Sequence, residues 1–276
     1  MSENLKPKTL TVSQWLRDAA DQLADVSITS ALLDAEIILA HTLHKSRTWL
    51  HAHNDDALTP RMIEIANARL DLRLDRTPIA YIIGHKEFYS RNFAVTPSVL
   101  IPRPESESII TLLKKHRPVT AKRLIDVGTG SGCLGITAKL ELPELSVALS
   151  DVSRHALTVA MRNATALNAE VVTVRSNLLA RVTGKYDIII ANLPYVDSSW
   201  ERSPETDYEP QLALFADNNG LALIDQLIDE LPATLNKPGL VLLEADPVQH
   251  NAIITKAHTI GLEHVETDGY AIALSW

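Results

Sequence analysis

Residues 123–151 have the sequence RLIDVGTGSGCLGITAKLELPELSVALSD and carry the clearest fold signal in the chain. A short apolar run at 124–127 predicts a buried parallel strand, and glycines at alternate positions follow it. These glycines are Gly128, Gly130 and Gly132. A helical pattern then extends to Pro143, which ends it, and a second apolar run ends at Asp151. A strand, a glycine turn, a helix and a second strand in this order form one βαβ unit.

The glycine turn predicts a ligand-binding place. Glycines let the backbone approach a ligand closely, and the N-terminus of the helix offers free N–H groups. Asp151 ends the second strand, where an acidic residue can accept hydrogen bonds from ribose hydroxyls. The pattern Gly130-x-Gly132-x-x-Gly135 also satisfies the dinucleotide motif. The turn alone therefore leaves a nicotinamide cofactor, another nucleoside cofactor and a purely structural turn open.

Composition and charge narrow the possible functions. The chain has 276 residues, enough for two domains, and its net charge of −8 disfavours a broad nucleic-acid-binding surface. The first residues, MSENLKPKTL, lack the apolar core of a signal peptide, and no run reaches the roughly 18 apolar residues of a membrane span. We therefore expect a cytoplasmic protein without a membrane partner. Cys133 is the single cysteine, which excludes an internal disulfide and a cysteine metal cluster, and we predict no metal.

The chain before the glycine turn has a helical and an extended part. Apolar residues recur at helical spacing over 11–76, which predicts a compact helical bundle without catalytic residues. The charges near its end are expected to form a solvated face; they are Arg69, Asp71, Arg73, Asp75 and Arg76. Aromatic and polar residues alternate over 79–99 and predict a β-hairpin. The predicted division is a helical domain at 1–78, a hairpin and linker at 79–104, and an α/β domain at 105–276.

The chain after Asp151 alternates helical and strand patterns. This alternation predicts a parallel sheet, and an Asp268-Gly269 turn predicts a closing antiparallel hairpin. The fourth predicted strand, 185–191, leads directly into Asn192-Leu193-Pro194-Tyr195. In a doubly wound sheet these four residues lie at the carboxyl end of a strand, beside the ligand crevice.

This tetrapeptide suits methyl transfer to a planar nitrogen. The lone pair of an amide or adenine nitrogen is delocalised, so the nitrogen must be held in line with the methyl group. The side-chain carbonyl of Asn192 and the main-chain carbonyl of Leu193 can each accept one N–H of an –NH2 group. Pro194 stiffens the turn, and Tyr195 offers a flat face and a phenol. A nicotinamide dehydrogenase does not need this group, which favours S-adenosylmethionine as the cofactor.

With these residues in view, the chain resembles the HemK/PrmC glutamine N5-methyltransferases, which modify peptide chain release factors. The resemblance covers nearly the whole chain. Its motifs are Asp34-Ala35-Glu36, Pro78-Ile79-Ala80-Tyr81-Ile82-Ile83-Gly84, Glu87-Phe88-Tyr89, Leu100-Ile101-Pro102-Arg103-Pro104-Glu105, the glycine turn from Asp126 to Gly132, Tyr208-Glu209-Pro210 and Gly220-Leu221. Pro102–Glu105 and the helical part are specific for this family, whereas the glycine turn is generic to methyltransferases.

The resemblance implies a class I, Rossmann-like S-adenosylmethionine methyltransferase domain after an N-terminal helical bundle and a β-hairpin linker. It also implies that the helical domain recognises the substrate, the glutamine of the release factors' Gly-Gly-Gln tip. The implied cofactor-binding residues are Asp126, Gly128, Thr129, Gly130, Ser131, Gly132, Asp151, Asn177, Leu178 and Asn192. The catalytic residues are Asn192, Leu193, Pro194 and Tyr195, and Arg103 and Glu107 are possible walls of the site.

The sequence departs from the family pattern at three positions. Leu193 stands where the family usually has proline, Asn177 where it commonly has an acid, and Asp246 where it usually has glycine. Asn-Leu-Pro-Tyr is also similar to the tetrapeptide of adenine-N6 RNA methyltransferases. Two alternatives stay open: a methyltransferase for another planar nitrogen, in a ribosomal-protein glutamine or an RNA adenine, and a catalytically silent module that binds the translation machinery. The net charge of −8 argues against RNA.

Overall fold

The computed structural model describes residues 10–276 and divides the chain into two compact units, Met1–Gly84 and His85–Trp276. Residues 1–9, on which the prediction about a signal peptide rests, lie outside the described part. Within residues 10–276, every helix is too short or too polar to cross a lipid bilayer. The first unit encloses one buried apolar cluster, and the second unit encloses two.

The described part of the first unit is helical, as the sequence predicts. Its helices are α1 (Val12–Asp25), α2 (Ala31–Leu43), α3 (Arg47–Ala52), α4 (Pro60–Leu74) and α5 (Ile79–Ile83). The side chains of Thr11 and Thr59 accept hydrogen bonds from backbone N–H groups in the first turns of α1 and α4, which is why these helices begin there. Trp15, Leu23 and Ile38 are among the apolar residues that these helices bury together.

The prediction of a hairpin beginning at Ile79 is wrong for its first residues. Residues 79–83 form the helix α5, which ends at Gly84 in a left-handed conformation with φ +78°. Ile79 packs against the core of the helical unit, and Ala80 is buried. Packing therefore overrides the strand preference of this isoleucine-rich segment.

Arg73 is also not part of a solvated face. Only 6% of the residue is exposed, and its Nε donates a hydrogen bond to Asp34 Oδ2 at 2.7 Å. A buried charge must be paired, and Asp34 supplies the partner from α2. Glu36, two residues on, forms an ion pair with Arg47 at 2.5 Å. The Asp34-Ala35-Glu36 motif thus stabilises the helical unit through two ion pairs.

The second unit begins with the hairpin of β1 (His85–Phe88) and β2 (Arg91–Ala94). Strands and helices then alternate. They are α6 (Glu107–His116), β3 (Arg123–Val127), α7 (Cys133–Glu141), β4 (Ser146–Asp151), α8 (Arg154–Ala166), β5 (Val171–Arg175), β6 (Tyr186–Ala191), α9 (Ala222–Thr234), β7 (Leu235–Glu244), α10 (His250–His258), β8 (Glu263–Asp268) and β9 (Ala271–Ser275). Phe88 and Phe93 of the hairpin pack edge to face at 6.1 Å within the core of this unit.

The large sheet has seven strands in the order β5-β4-β3-β6-β7-β9-β8. β5, β4, β3, β6 and β7 are parallel, and β9 lies antiparallel between β7 and β8. The chain reverses its direction of strand addition between β3 and β6. In open α/β sheets a ligand crevice forms at such a switch point, outside the carboxyl ends of the strands. The fold therefore places the ends of β3, β4 and β6 around one crevice.

Candidate active site

A cavity of about 470 Å³ opens at the carboxyl ends of these strands. The glycine turn after β3 and the segment 98–103 both line it. Segments 176–178 and 192–194, which follow β5 and β6, also line it. The cavity thus brings together the two motifs that the sequence singles out, which are 64 residues apart when counted from Gly128 to Asn192.

The glycine turn depends on backbone conformations and spaces that other residues do not tolerate. Gly128, Gly130 and Gly132 have φ values of +71°, +54° and +83°. A Cβ on Gly128 would lie 2.9 Å from Leu193 Cδ2, so the turn and the tetrapeptide are in close contact. A Cβ on Gly135 in α7 would lie 2.3 Å from Leu149 Cδ2. The helix after the turn therefore packs closer to the sheet than any side chain at 135 would allow.

Asp126 stabilises the glycine turn by accepting two hydrogen bonds. Its Oδ2 accepts hydrogen bonds from Thr129 Oγ1 at 2.6 Å and from the backbone N–H of Gly135 at 2.9 Å. Only 1% of the residue is exposed, and burial raises the pKa of its carboxyl group to about 6, although these two hydrogen bonds oppose the rise. Asp126 lines the cavity, yet its visible contacts serve the turn itself.

Asp151 faces the cavity from the end of β4, where the sequence predicts a ribose acceptor. Its two oxygens accept backbone hydrogen bonds from Gly130 at 3.0 Å and Ser153 at 2.8 Å. A carboxylate has about four lone-pair positions, so acceptor capacity remains on the cavity side. Burial raises the pKa of this carboxyl group above its ordinary value. Asn177 and Leu178 lie in the same wall, and Leu178 has a left-handed φ of +43°, a rare conformation for leucine.

Asn192 is the part of the tetrapeptide whose side chain faces the cavity with a defined orientation. Its Nδ2 donates a hydrogen bond to Ser106 Oγ at 3.1 Å, which leaves Oδ1 as the group available to a ligand. Leu193 and Pro194 also line the cavity, and Leu193 is 5% exposed. The amide is thus oriented as an acceptor, which is what a substrate –NH2 group requires.

Tyr195 is placed differently from Asn192. Its hydroxyl donates to Glu244 Oε1 at 3.1 Å, and it is absent from the residues that line the cavity. Burial, followed by the charge of Glu244, raises the pKa of the Tyr195 phenol. The phenol therefore stays protonated, and its contact supports the site from behind.

The two residues predicted as possible walls of the site, Arg103 and Glu107, differ in position. Arg103 lines the cavity, and its guanidinium forms an ion pair with Glu209 at 2.5 Å. Glu209 is 5% exposed and also accepts the backbone N–H of Ile101 at 3.0 Å, so it fastens the segment 98–103. Glu107 does not line the cavity and instead accepts the backbone N–H of Tyr89 at 2.8 Å.

Comparison with known proteins places this site in a family. Residues 14–84 match the family model described as the PrmC N-terminal domain, and residues 105–205 match the methyltransferase small domain. The release factor glutamine methyltransferase of Salmonella typhimurium is 34% identical over 92% of this chain and 92% of its own length. The protein of the same name from Enterococcus faecalis is 42% identical over 71% of this chain and 72% of its own.

The chain belongs to the release factor glutamine methyltransferase family. The predicted family, the Rossmann-like fold and the S-adenosylmethionine-dependent methyltransferase activity are thereby confirmed. A solved methyltransferase from Pyrococcus furiosus has the same fold, with a TM-score of 0.52 and 21% identity over 75% of this chain and 95% of its own. The cavity fits such a cofactor, because Asp151 offers acceptors and the turn offers a close backbone approach.

Two residues that hold the site of this methyltransferase were missed in the sequence. Ser106 is buried and bonded to Asn192, and Glu244 is buried beside Tyr195. Glu244 ends β7, so the rule that polar residues at carboxyl strand ends face the crevice could have found it. Ser106 carries no such signal, because it lies in a turn between two acids. Cys133 also lines the cavity, and burial raises the pKa of its thiol to about 12, which favours the neutral thiol over the reactive thiolate.

Proposed function

We propose that this protein transfers the methyl group of S-adenosylmethionine to the side-chain amide nitrogen of the Gly-Gly-Gln glutamine of peptide chain release factors. The observation that carries the proposal is the position of Asn192, which lines the cavity with its Nδ2 hydrogen-bonded to Ser106, so that Oδ1 is left to accept from a substrate. The relatives named release factor glutamine methyltransferase supply the substrate class.

The residues of the chain act by positioning. Asn192 Oδ1 accepts one N–H of the substrate amide, and the main-chain carbonyl of Leu193 accepts the other, so the nitrogen lone pair points toward the methyl group. When bound, S-adenosylmethionine supplies a sulfonium methyl group: the nitrogen lone pair forms the new N–C bond, the S–C electron pair stays on sulfur, and the nitrogen loses one proton to solvent. Because the nitrogen becomes acidic as it is methylated, the site needs no strong general base.

The cofactor is held by groups that the cavity already presents. Asp151 accepts hydrogen bonds from the ribose, and the turn residues Gly128–Ser131 line the same cavity, where their backbone allows a close approach. Asn177 can bond the adenine through its side chain, with Leu178 packed against the ring. Asn177 stands where the family commonly has an acid, and its side-chain carbonyl still supplies a hydrogen-bond acceptor, although a neutral one.

The helical unit recognises the protein substrate. Residues 14–84 match the PrmC N-terminal domain, and the charges of Asp34, Glu36 and Arg73 are used within the unit for its own stability. Recognition therefore uses the outer surface of the helices. The predicted boundaries of this domain, the linker and the catalytic domain, at residues 78 and 104, are part of this proposal.

Methylation of a purified release factor tests the proposal. The protein is incubated with labelled S-adenosylmethionine and either the intact factor or a variant with Gly-Gly-Ala at the tip, and the modified residue is mapped by mass spectrometry. We expect label on the glutamine of the intact factor and none on the variant. Ribosomal proteins and ribosomal RNA are offered in parallel reactions. Label on either of them, with the release factor left unmodified, would overturn the proposal in favour of another planar nitrogen.

A further inference from the structure

Glu244 is a buried carboxylate that the reaction above does not use. It is the last residue of β7, and its neighbour Leu243 pairs with Ala191, the residue before Asn192. Glu244 is 2% exposed. An isolated buried carboxylate is strongly unfavourable, so its position requires groups that donate hydrogen bonds to it.

The donors around Glu244 are also the groups that hold the tetrapeptide. The Tyr195 hydroxyl donates to Oε1 at 3.1 Å. The second oxygen, Oε2, is buried and has no partner of hydrogen-bonding geometry among residues 10–276. Ser106 stands beside the carboxylate, and its Oγ accepts from Asn192 Nδ2 at 3.1 Å, which leaves the hydroxyl proton of Ser106 free to donate. The unpaired Oε2 thus lies near a hydroxyl whose proton Asn192 does not use, and hydrogen bonding by Ser106 lowers the pKa of the Glu244 carboxyl group.

We propose that Glu244 is a positioning residue: its carboxylate accepts the hydroxyl proton of Ser106 and thereby fixes the amide of Asn192 with Oδ1 toward the substrate. The proposal rests on the proposed function, because it assigns Asn192 Oδ1 to the substrate amide.

The direction of the hydrogen bonds follows from the chemistry of the carboxylate. The two ends of an asparagine amide have nearly the same shape, so their partners alone decide which end faces the cavity. An ionised carboxylate can only accept, so the hydroxyl of Ser106 must donate to it. The Ser106 oxygen then offers only lone pairs to Asn192, and the –NH2 end of Asn192 turns toward it.

A neutral amide at 244 removes this constraint. The –NH2 group of a glutamine can donate to the Ser106 oxygen, and the Ser106 proton can then turn toward Asn192 Oδ1. Asn192 in the reversed orientation presents its –NH2 group to the –NH2 group of the substrate. Two donors facing each other in a closed site leave both without acceptors, and the amide nitrogen loses its alignment.

The groups that face Glu244 also set how it responds to pH. Burial raises the pKa of the Glu244 carboxyl group, and the negative charge of Glu105 adds to the rise, while Ser106, Tyr195 and Asn192 oppose it. The carboxylate in turn raises the pKa of the Cys133 thiol, which stays neutral. The carboxylate therefore takes up a proton at a higher pH than an ordinary glutamate does. Once it is protonated, the Ser106 hydroxyl no longer has to donate to it.

The test compares Glu244→Gln with wild type at saturating S-adenosylmethionine. We expect kcat on release factor to fall about 10-fold or more, while KM and the Kd of S-adenosylmethionine change less than about 2-fold. The wild-type kcat should fall as the pH is lowered through the raised pKa of Glu244, and this acidic limb should disappear in the variant. Glu263→Gln, the same change on an exposed part of the same sheet, is the matched control.

Two further variants keep the test decisive if Glu244→Gln folds poorly. Ser106→Ala breaks the link between Asn192 and Glu244, whereas Tyr195→Phe removes the other donor and leaves the link intact. We expect Ser106→Ala to lower kcat several-fold more than Tyr195→Phe. Equal losses in both, or a Glu244→Gln kcat within about 2-fold of wild type, would overturn the positioning role while wild-type methylation stands. An inactive wild type would instead overturn the proposed function, and this role with it.

Discussion

At Asn192 the function depends on the orientation of a single amide. Asn192→Ala removes the acceptor for one substrate N–H, which leaves that group unpaired at a cost of roughly 1–3 kcal/mol. Since misalignment adds to this, we expect the single-turnover rate on release factor to fall at least about 10- to 100-fold. The Kd of S-adenosylmethionine, measured by calorimetry, should change much less. A variant with the wild-type rate would show that Asn192 does not grip the substrate.

Leu193→Pro is the matched control for this variant. It retains the main-chain carbonyl that the mechanism uses and introduces the residue that the family usually has. We expect the rate to stay within a few-fold of wild type. A loss as large as that of Asn192→Ala would mean that the leucine side chain itself takes part.

Asp151 carries the corresponding prediction for the cofactor. Asp151→Ala removes the ribose acceptor and also releases the N–H of Gly130. The loss of roughly 1–3 kcal/mol corresponds to about 5- to 150-fold weaker binding of S-adenosylmethionine in a calorimetric titration. Asp268→Ala, on the exposed β8–β9 turn, should bind the cofactor as wild type does. Unchanged affinity in Asp151→Ala would contradict this role.

Residue by residue, the sequence predicted those parts of the site that follow a strand or a glycine turn. Asp151, Asn192, Gly128 and Gly130 line the cavity, because the ends of parallel strands meet at one edge, whereas Gly132 does not line it. Ser106 could not be predicted because its importance comes from the side chains that pack against it, whereas Glu244 ends β7 and could have been found by the same strand-end rule. Tyr195 and Glu107 lie near the site in the sequence, but their contacts with Glu244 and Tyr89 turn them away from the cavity.

At the scale of elements, the close packing of α7 on the sheet predicts whether an alanine at position 135 raises or lowers stability. Alanine normally stabilises a helix relative to glycine by roughly 0.5–1 kcal/mol. At Gly135, however, a Cβ would lie 2.3 Å from Leu149 Cδ2 and 2.9 Å from Asp126 Cβ. Because these neighbours are buried, we expect Gly135→Ala to destabilise the protein by about 1–3 kcal/mol in urea unfolding.

Thr165→Ala is the control for Gly135→Ala. Thr165 lies on the exposed side of α8, where alanine gains helix propensity without crowding, so this variant should be neutral or slightly more stable. If Gly135→Ala were as stable as Thr165→Ala, the close packing of α7 on the sheet would be contradicted.

Most elements could be predicted from local patterns, and the exceptions have a common cause. The helices and strands of both units follow from apolar spacing and from glycine or proline at their ends. The helix α5 and the place of β9 between β7 and β8 depend on contacts with residues far away in the chain. The hydrophobic periodicity of a segment predicts its local structure, but it does not specify which distant segment it packs against.

For the whole molecule, the burial of Asp126 predicts a pH dependence of stability. The pKa of its carboxyl group is raised from 3.8 to about 6, so the folded state binds more protons between these values. Its contribution to stability is therefore fully present below about pH 4 and is lost as the pH rises through about 6.

Asp126→Asn removes this titration. We expect the difference in the free energy of unfolding, wild type minus variant, to fall by about 2–3 kcal/mol between pH 4 and pH 7. Urea unfolding followed by tryptophan fluorescence measures both curves. Taking the difference cancels the titration of the exposed ion pairs, such as Lys115 with Glu266. Parallel curves for the two proteins would contradict the raised pKa.

The division into two units predicts a separation of binding and recognition. A fragment of residues 85–276 contains every residue that lines the cavity, so it should bind S-adenosylmethionine if it folds. It should methylate intact release factor poorly, since the helical unit is proposed to recognise the substrate. On a short peptide with the Gly-Gly-Gln sequence, the fragment and the full chain should have similar rates. Full activity of the fragment on intact release factor would contradict this division.

The contact between Gly128 and Leu193 has a consequence for how the family changes over evolutionary time. A Cβ at 128 would lie 2.9 Å from Leu193 Cδ2, so the volume available at one position is set by the residue at the other. The chemistry needs only the main chain at 193, whereas it needs the side chain at 192. Selection therefore allows the type of side chain at position 193 to change, but the side chain must fit in the space beside position 128. Since the φ of +71° keeps position 128 a glycine, we expect homologues to vary at 193 only among side chains that fit against this glycine, with the asparagine at 192 invariant beside them.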